Sequence, residues 1–138
     1  MSHPIIEKLA AAWNAHQVGD VLALYTPDAL LLHPMRGGEP ARGRDAIAAL
    51  EQPMFSAFSE TEWKPLEVVR DGDRVVVEYL VKSKNTGPLP TPKGPIPATG
   101  RTVHVHGMSI LRIAPNGLIA EERRFFDALG MMAQLGLA

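Results

Sequence analysis

The chain has 138 residues, 46% hydrophobic and 21% charged, with 14 basic against 15 acidic side chains and no cysteine. That size suits a single domain over residues 1–138, able to bury roughly two-thirds of its unfolded surface. The near-neutral balance supplies no field for nucleic acid or anionic lipid, and the lack of cysteine excludes disulfides, thiol nucleophiles and thiolate metal ligands.

The N-terminus lacks the charged-then-apolar layout of a secretion signal, and no apolar run reaches membrane-spanning length, so a cytoplasmic protein is expected. Pro4 stands at a first helical position, and Ile5, Ile6, Leu9, Ala12, Trp13 and His16 recur at helical spacing. Asp20 is a candidate cap for a short second helix running to Tyr25, which Thr26-Pro27-Asp28 would end. Residues 29–33 (ALLLH) read as a buried strand closed by Pro34, and residues 35–43 as a loop rich in Gly and Pro. Arg44 to Phe58 returns to helix, with Ile47, Leu50, Met54 and Phe58 on one face and Pro53 as an interior kink.

Glu62 to Arg70 and Arg74 to Lys82 are two strands around Asp71-Gly72-Asp73, the second apolar on both faces. Residues 83–101 hold five of the twelve prolines and are too long for a plain hairpin loop; a flap and a disordered excursion are both open. The last pair, Thr102 to Ile113 and Leu118 to Asp127, flanks Ala114-Pro115-Asn116-Gly117. Proline there forbids a type I′ turn and favours a type I turn with Gly117 left-handed. Setting Ala114 opposite Leu118 puts Ile110 against Glu122, Met108 against Arg124 and His106 against Phe126. Polar groups set among apolar ones on one face then suggest a lined cavity. A short helix or tail from Ala128 to Leu137 closes the chain. The order helix, helix, strand, helix and four meandering strands implies an α+β fold, a strongly curved antiparallel sheet with helices on its concave side.

Several local motifs resemble the NTF2-like superfamily and, within it, the SnoaL-like group. They are Trp13-Asn14-Ala15-His16, residues 24–29 (LYTPDA), His33-Pro34, residues 43–47 (GRDAI), residues 71–75 (DGDRV), residues 97–101 (PATGR) and the closing run 117–136. The resemblance implies a cone-shaped fold, a homodimer through the outer sheet face, and a hydrophobic small molecule as ligand. The related polyketide cyclases carry a His-x-Asp pair on the last strand, at positions held here by Glu122 and Arg124. The ketosteroid isomerases carry a catalytic Asp before a proline at the end of the first strand, where this chain has His33. Their oxyanion donors fall at Leu9 and near Ser109, which argues against steroid isomerisation.

His33, Glu122 and Arg124 are therefore the candidate catalytic residues. His33 would be general base or acid, Glu122 its partner or a second acid/base, and Arg124 the electrostatic stabiliser. Trp13, Tyr25, Phe58, His106, Met108 and Phe126 are the candidate wall. The expected activity is cofactor-independent proton transfer (cyclisation, isomerisation or dehydration) next to a carbonyl. A non-catalytic carrier of an apolar metabolite and an epoxide-hydrolase-like addition of water are the rivals. His104 and His106 share a face but lack further convergent ligands, so no metal is expected.

Overall fold

The computed structural model describes residues 3–138. Its elements are α1 (Pro4–Asn14), α2 (Val18–Leu22), β1 (Tyr25–Leu32), β2 (Ala41–Arg42), α3 (Arg44–Ala57), β3 (Phe58–Asp71), β4 (Arg74–Asn85), β5 (Thr102–Ile113), β6 (Ile119–Phe126) and α4 (Ala128–Gln134). One curved, unclosed sheet runs β2-β1-β6-β5-β4-β3, antiparallel except where β1 lies parallel to β6. The α+β cone expected from the sequence is the fold observed. Bulges at Ser59–Glu62 and Pro65–Glu67 bend β3, and the first carries Glu60 at φ 53°. No helix among the described residues is long and apolar enough to cross a membrane.

His3 caps α1 by accepting the Ile5 amide at 3.2 Å, and Pro4 supplies a fixed φ at the first turn. The helix buries Ile5, Ile6, Leu9 and Ala12. Asn14 locks it to β3 twice: Nδ2 donates to the Trp63 carbonyl at 3.0 Å, and Oδ1 accepts the Trp63 amide at 2.6 Å. Trp13 and Trp63 are thereby held on facing elements.

Three local expectations are revised. The second helix starts from Gln17, not Asp20, and ends at Leu22, because Tyr25 pairs with Ile119 as the first residue of β1. Pro27 is tolerated in that strand because the β1–β6 register breaks between Tyr25 and Leu30, so its missing N–H costs no ladder bond. In α3 the buried face is Ile47, Glu51 and Phe55, turned from the expected Leu50 and Met54 stripe. Phe58 already belongs to β3, at φ −125°.

The third revision matters most. The turn is as read: the Ala114 amide donates to the Leu118 carbonyl at 2.8 Å, and Ile113 pairs with Ile119. The next pair is Arg112 with Glu121, so Ala120 is an extra residue on β6. This bulge shifts every later pair by one: Leu111 meets Glu122, Ser109 meets Arg124 and Gly107 meets Phe126. A one-residue shift turns a strand over. The inner face of β5 is consequently Val103, Val105, Gly107, Ser109 and Leu111, with His104, His106 and Met108 on the outer face. Gly107 is required there, since a Cβ would lie 2.7 Å from the Tyr79 ring.

Residues 86–101 form an ordered plug at one end of the cone. Asn85 organises it, donating to the Ala57 carbonyl at 2.9 Å and accepting the Thr99 amide at 2.8 Å. Leu89 bridges to Ile96 and packs with Ala57, Phe58, Val103, Met131 and Leu135 in a second apolar cluster. The first and larger cluster lies between α1, α3 and the sheet.

Candidate functional site

The concave face, α1, α3 and α4 line a cavity of about 130 Å³ that opens to solvent. Its wall is largely aromatic. Trp13 stacks on Phe55 at 4.6 Å, and Trp63 lies beside Tyr79 at 5.0 Å. Set into this wall is an acid–guanidinium–acid chain.

Arg124 lies between two carboxylates, with Nε donating to Glu122 Oε2 at 3.0 Å and Nη1 to Glu51 Oε1 at 2.7 Å. Glu122, on the same strand two residues back, is 4% exposed, and Glu51, from α3, is 1% exposed. Glu122 is saturated: Tyr25 Oη donates to Oε1, and Ser109 Oγ donates to Oε2 at 2.8 Å. Ser109 in turn meets Tyr79 Oη at 3.4 Å. Glu51 is the opposite case, for its buried Oε2 has no hydrogen-bond partner.

The two carboxyls are driven apart. Burial pushes Glu122 up, but the Arg124 charge and the bonds from Arg124, Tyr25 and Ser109 outweigh it and hold it below its ordinary value. Burial also pushes Glu51 up; Arg124 only partly offsets this and the Glu122 charge adds to it, so its pKa is raised. The two neighbouring acids are thus shifted in opposite directions. Such a split is a frequent mark of acid–base sites.

His33 ends β1 and caps the 3-10 turn Pro34–Arg36, with Nδ1 accepting the Met35 amide at 3.1 Å. The neutral ring therefore carries its proton on Nε2, which makes no hydrogen bond among the described residues. Phe126 packs edge-on against the ring at 5.5 Å. Burial, then the Arg124 charge, push His33 down to about 3, with Arg36 adding and Glu122 opposing.

A pH dependence of stability follows from this histidine. Its ordinary value is near 6.5, so between about pH 6.5 and 3 the unfolded chain holds a proton the folded chain lacks. Stability should fall as pH drops through that window, by up to about 1.4 kcal/mol per unit. His33→Asn keeps a capping acceptor for Met35 and removes the titration. Urea midpoints at about pH 6.5 and 5 should separate less in the variant than in the parent. This interval lies above the depressed range of Glu122, and any titration of Glu51 is common to both proteins. Equal losses would show that His33 does not titrate this way.

Of the residues singled out in the sequence, His33, Glu122, Arg124, Trp13, Tyr25, Phe58 and Phe126 line the cavity. His106 and Met108 do not. They face outward, His106 paired with Glu78 at 2.7 Å and Met108 40% exposed, because the bulge at Ala120 reverses the face on which β5 was read. Glu51, Ser109, Tyr79 and Trp63 also line the cavity and were not singled out. Glu51 had a signal, an acid at helical spacing between Ile47 and Phe55. No group of three or more His, Asp or Glu among the described residues could hold a metal ion.

Comparison with known proteins agrees with this geometry. The sequence profile of the SnoaL-like domain matches residues 6–122. Epoxide hydrolase LasB of Streptomyces lasalocidi is 35% identical over 111 residues, which is 80% of this chain but 36% of that protein. The chain thus spans about a third of that relative's length. A candidate SnoaL-like polyketide cyclase from Jannaschia sp. CCS1 superposes with a TM-score of 0.82 at 24% identity, over 98% of this chain and 91% of its own. A protein of ketosteroid isomerase-like fold from Catenulispora acidiphila, solved with trimethylamine, gives 0.80 at 20% identity over 100% and 96%.

Proposed function

Because the chain belongs to the SnoaL-like domain family, we propose that it is an acid–base enzyme, independent of any cofactor, acting on an apolar small molecule that bears a reactive oxygen. The observation that carries this reading is Glu51, a buried acid of the cavity lining with one oxygen held by Arg124 and the other, also buried, without a partner. Burial raises the pKa of that carboxyl, which favours the acid form able to give its proton to a carbonyl or epoxide oxygen. Arg124 then steadies the carboxylate left behind, and Glu122 supplies the fixed negative charge that anchors Arg124. His33 presents a neutral Nε2–H donor to the cavity, in place of the general base read from the sequence. Ser109 and Tyr79 extend the hydrogen-bonded chain from Glu122 toward the opposite wall.

Similarity to LasB favours an epoxide as one form of that oxygen, and the cyclase-like fold a carbonyl as the other. The test is the pH dependence of kcat/KM on paired ketone and epoxide substrates. Activity should decline as pH rises through the raised value of Glu51, where the proton donor is lost. Turnover that climbs steadily with pH, or none on either class, would remove the proposal. A non-catalytic carrier is the second reading. It is supported by the saturation of Glu122 and the engaged lone pair of His33, which leave no free base in view.

The outer face supports a homodimer. Val69, Leu80, Met108 and Phe125 are all exposed there, more large apolar surface than a small monomer usually leaves wet. Sedimentation velocity should show a concentration-dependent dimer, and a monomer at every concentration would exclude it.

A further inference from the structure

Deep in the cavity Glu122 is engaged by Tyr25, Ser109 and Arg124, and His33 Nδ1 by the Met35 amide. The solvent side holds a proton acceptor that is not engaged. Among the described residues His16 is the one exposed side chain of the cavity lining, and neither nitrogen of its ring has a hydrogen-bond partner. Neutral imidazole always leaves one nitrogen free to take a proton.

The backbone beneath His16 makes its side chain informative. Helix α1 closes with two bonds: the Gln17 amide donates to the Ala12 carbonyl at 3.1 Å, and the His16 amide to the Trp13 carbonyl at 3.1 Å. Such a closure puts the residue after the C-cap in the left-handed region, and His16, after Ala15, is there at φ 55°. Glycine is the usual occupant, since it has no Cβ to clash. Helix α4 ends in the same way, Leu137 donating to Met132 at 2.9 Å and Gly136 to Ala133 at 3.0 Å. In the equivalent place it carries Gly136, at φ 78°. At α1 the chain instead keeps an imidazole on a strained residue, and strain of this kind gathers where a side chain is used.

The His16 ring is tilted on Phe55 with 5.1 Å between centroids. Phe55 follows Glu51 by four positions on α3, so the two are neighbours on its buried face. His16 and Glu51 therefore stand on the order of 10 Å apart, at the open and buried sides of one space. An in-line addition of water, with a hydrogen bond of about 2.8 Å at each end and one carbon between the attacking and leaving oxygens, spans a similar length.

We propose that His16 is the general base of this site, taking a proton from a water that adds to an epoxide lodged between it and Glu51. The proposal rests on the reading of Glu51 as the acid. The imidazole lone pair takes one water proton while the water oxygen bonds to an epoxide carbon. The bond from that carbon to the ring oxygen breaks, its electron pair goes to the oxygen, and the oxygen takes the Glu51 proton. His16 then releases its proton to solvent and Glu51 regains one, so one water and one epoxide become one diol.

Cyclohexene oxide is the probe, with diol formation followed against pH. The titratable groups that share the cavity with His16 are Tyr25, His33, Glu51, Tyr79, Glu122 and Arg124. His33 is pushed down to about 3 and Glu122 is held below its ordinary value, which removes both as the source of an acid limb near neutrality. In the parent, kcat/KM should fall on the acid side as the imidazole takes a proton and on the alkaline side as Glu51 loses its own. His16→Gly and His16→Asn both suit a left-handed residue, and each should lower kcat by about 10²-fold or more and abolish the acid limb. His16→Gly should nonetheless melt at or above the parent temperature, and added imidazole should restore part of its rate. Variants within about twofold of the parent kcat, with the acid limb unchanged, would overturn the proposal and leave Glu51 as the acid. A loss in His16→Gly that tracks a lower melting temperature and resists imidazole would also overturn it, assigning the ring to packing on Phe55. A parent that exchanges the α-hydrogens of cyclohexanone in heavy water but leaves cyclohexene oxide intact would sink the water addition alone. A parent inert to both would sink it together with the acid–base reading.

Discussion

Replacing Arg124 by Leu should unfold a large part of the population. The substitution strips the shared cation from Glu51 and Glu122, two carboxyls that are 1% and 4% exposed, and breaking a buried ion pair on one side costs about 3–5 kcal/mol. Domains of this size are stable by about 5–15 kcal/mol, so the melting temperature should drop by something on the order of 10–20 °C. The companion experiment separates stability from chemistry. Glu51→Leu, Glu122→Leu and Arg124→Met together replace the whole charged chain with apolar bulk, which in other buried triads is neutral or stabilising by about 1–4 kcal/mol. The triple variant should melt near or above the parent and convert no substrate. That outcome would mean the Glu51–Arg124–Glu122 chain is retained for what it does to a ligand. An Arg124→Leu protein within about 1 kcal/mol of the parent would show the ion pairs to be far weaker than their burial implies.

Glu51→Gln should lower kcat by about 10²- to 10⁴-fold while leaving the fold and the KM nearly intact. Glutamine is the right probe because it copies the shape and the neutral charge of a protonated glutamic acid. Its carbonyl can still accept Arg124 Nη1 and its amide can still donate to a ligand oxygen, so only the transferable proton is lost. The fall corresponds to about 2.7–5.5 kcal/mol in the barrier. The decline in kcat/KM at high pH should vanish from whatever activity remains. An unchanged kcat would assign Glu51 to holding Arg124 in place and nothing more.

The cone was legible from residue order. Helical spacing in 4–14, the alternation in 74–82 and the Pro115-to-Gly117 turn are local signals. Each reports a backbone preference that the rest of the chain does not overrule. His33, Glu122 and Arg124 were legible as well, for a different reason. Glu122 and Arg124 share a face by strand parity on β6 itself, and the position of His33 before Pro34 marks the end of a strand. Neither argument depends on which residue lies across the ladder.

The partners of those residues depend on it entirely. Ala120 adds one residue to β6 without any turn-forming or glycine signal, and a bulge of that kind is decided by how the bent sheet closes over its core. It exchanged Met108 and His106 for Ser109 and Gly107 on the inner face. Glu51 was hidden by a smaller rotation, since Leu50 and Met54 make as good an apolar stripe as Ile47 and Phe55 until β1 and Trp13 take their places beside the helix. The amino-acid sequence by itself determined the elements, their order and the acid and guanidinium of β6, because those follow from preferences within a few residues. Which second acid stands across from that guanidinium, and which rings line the space beside it, was decided only by tertiary structure. Burial and register are properties of residues that meet from distant parts of the chain, here 73 positions apart between Glu51 and Arg124.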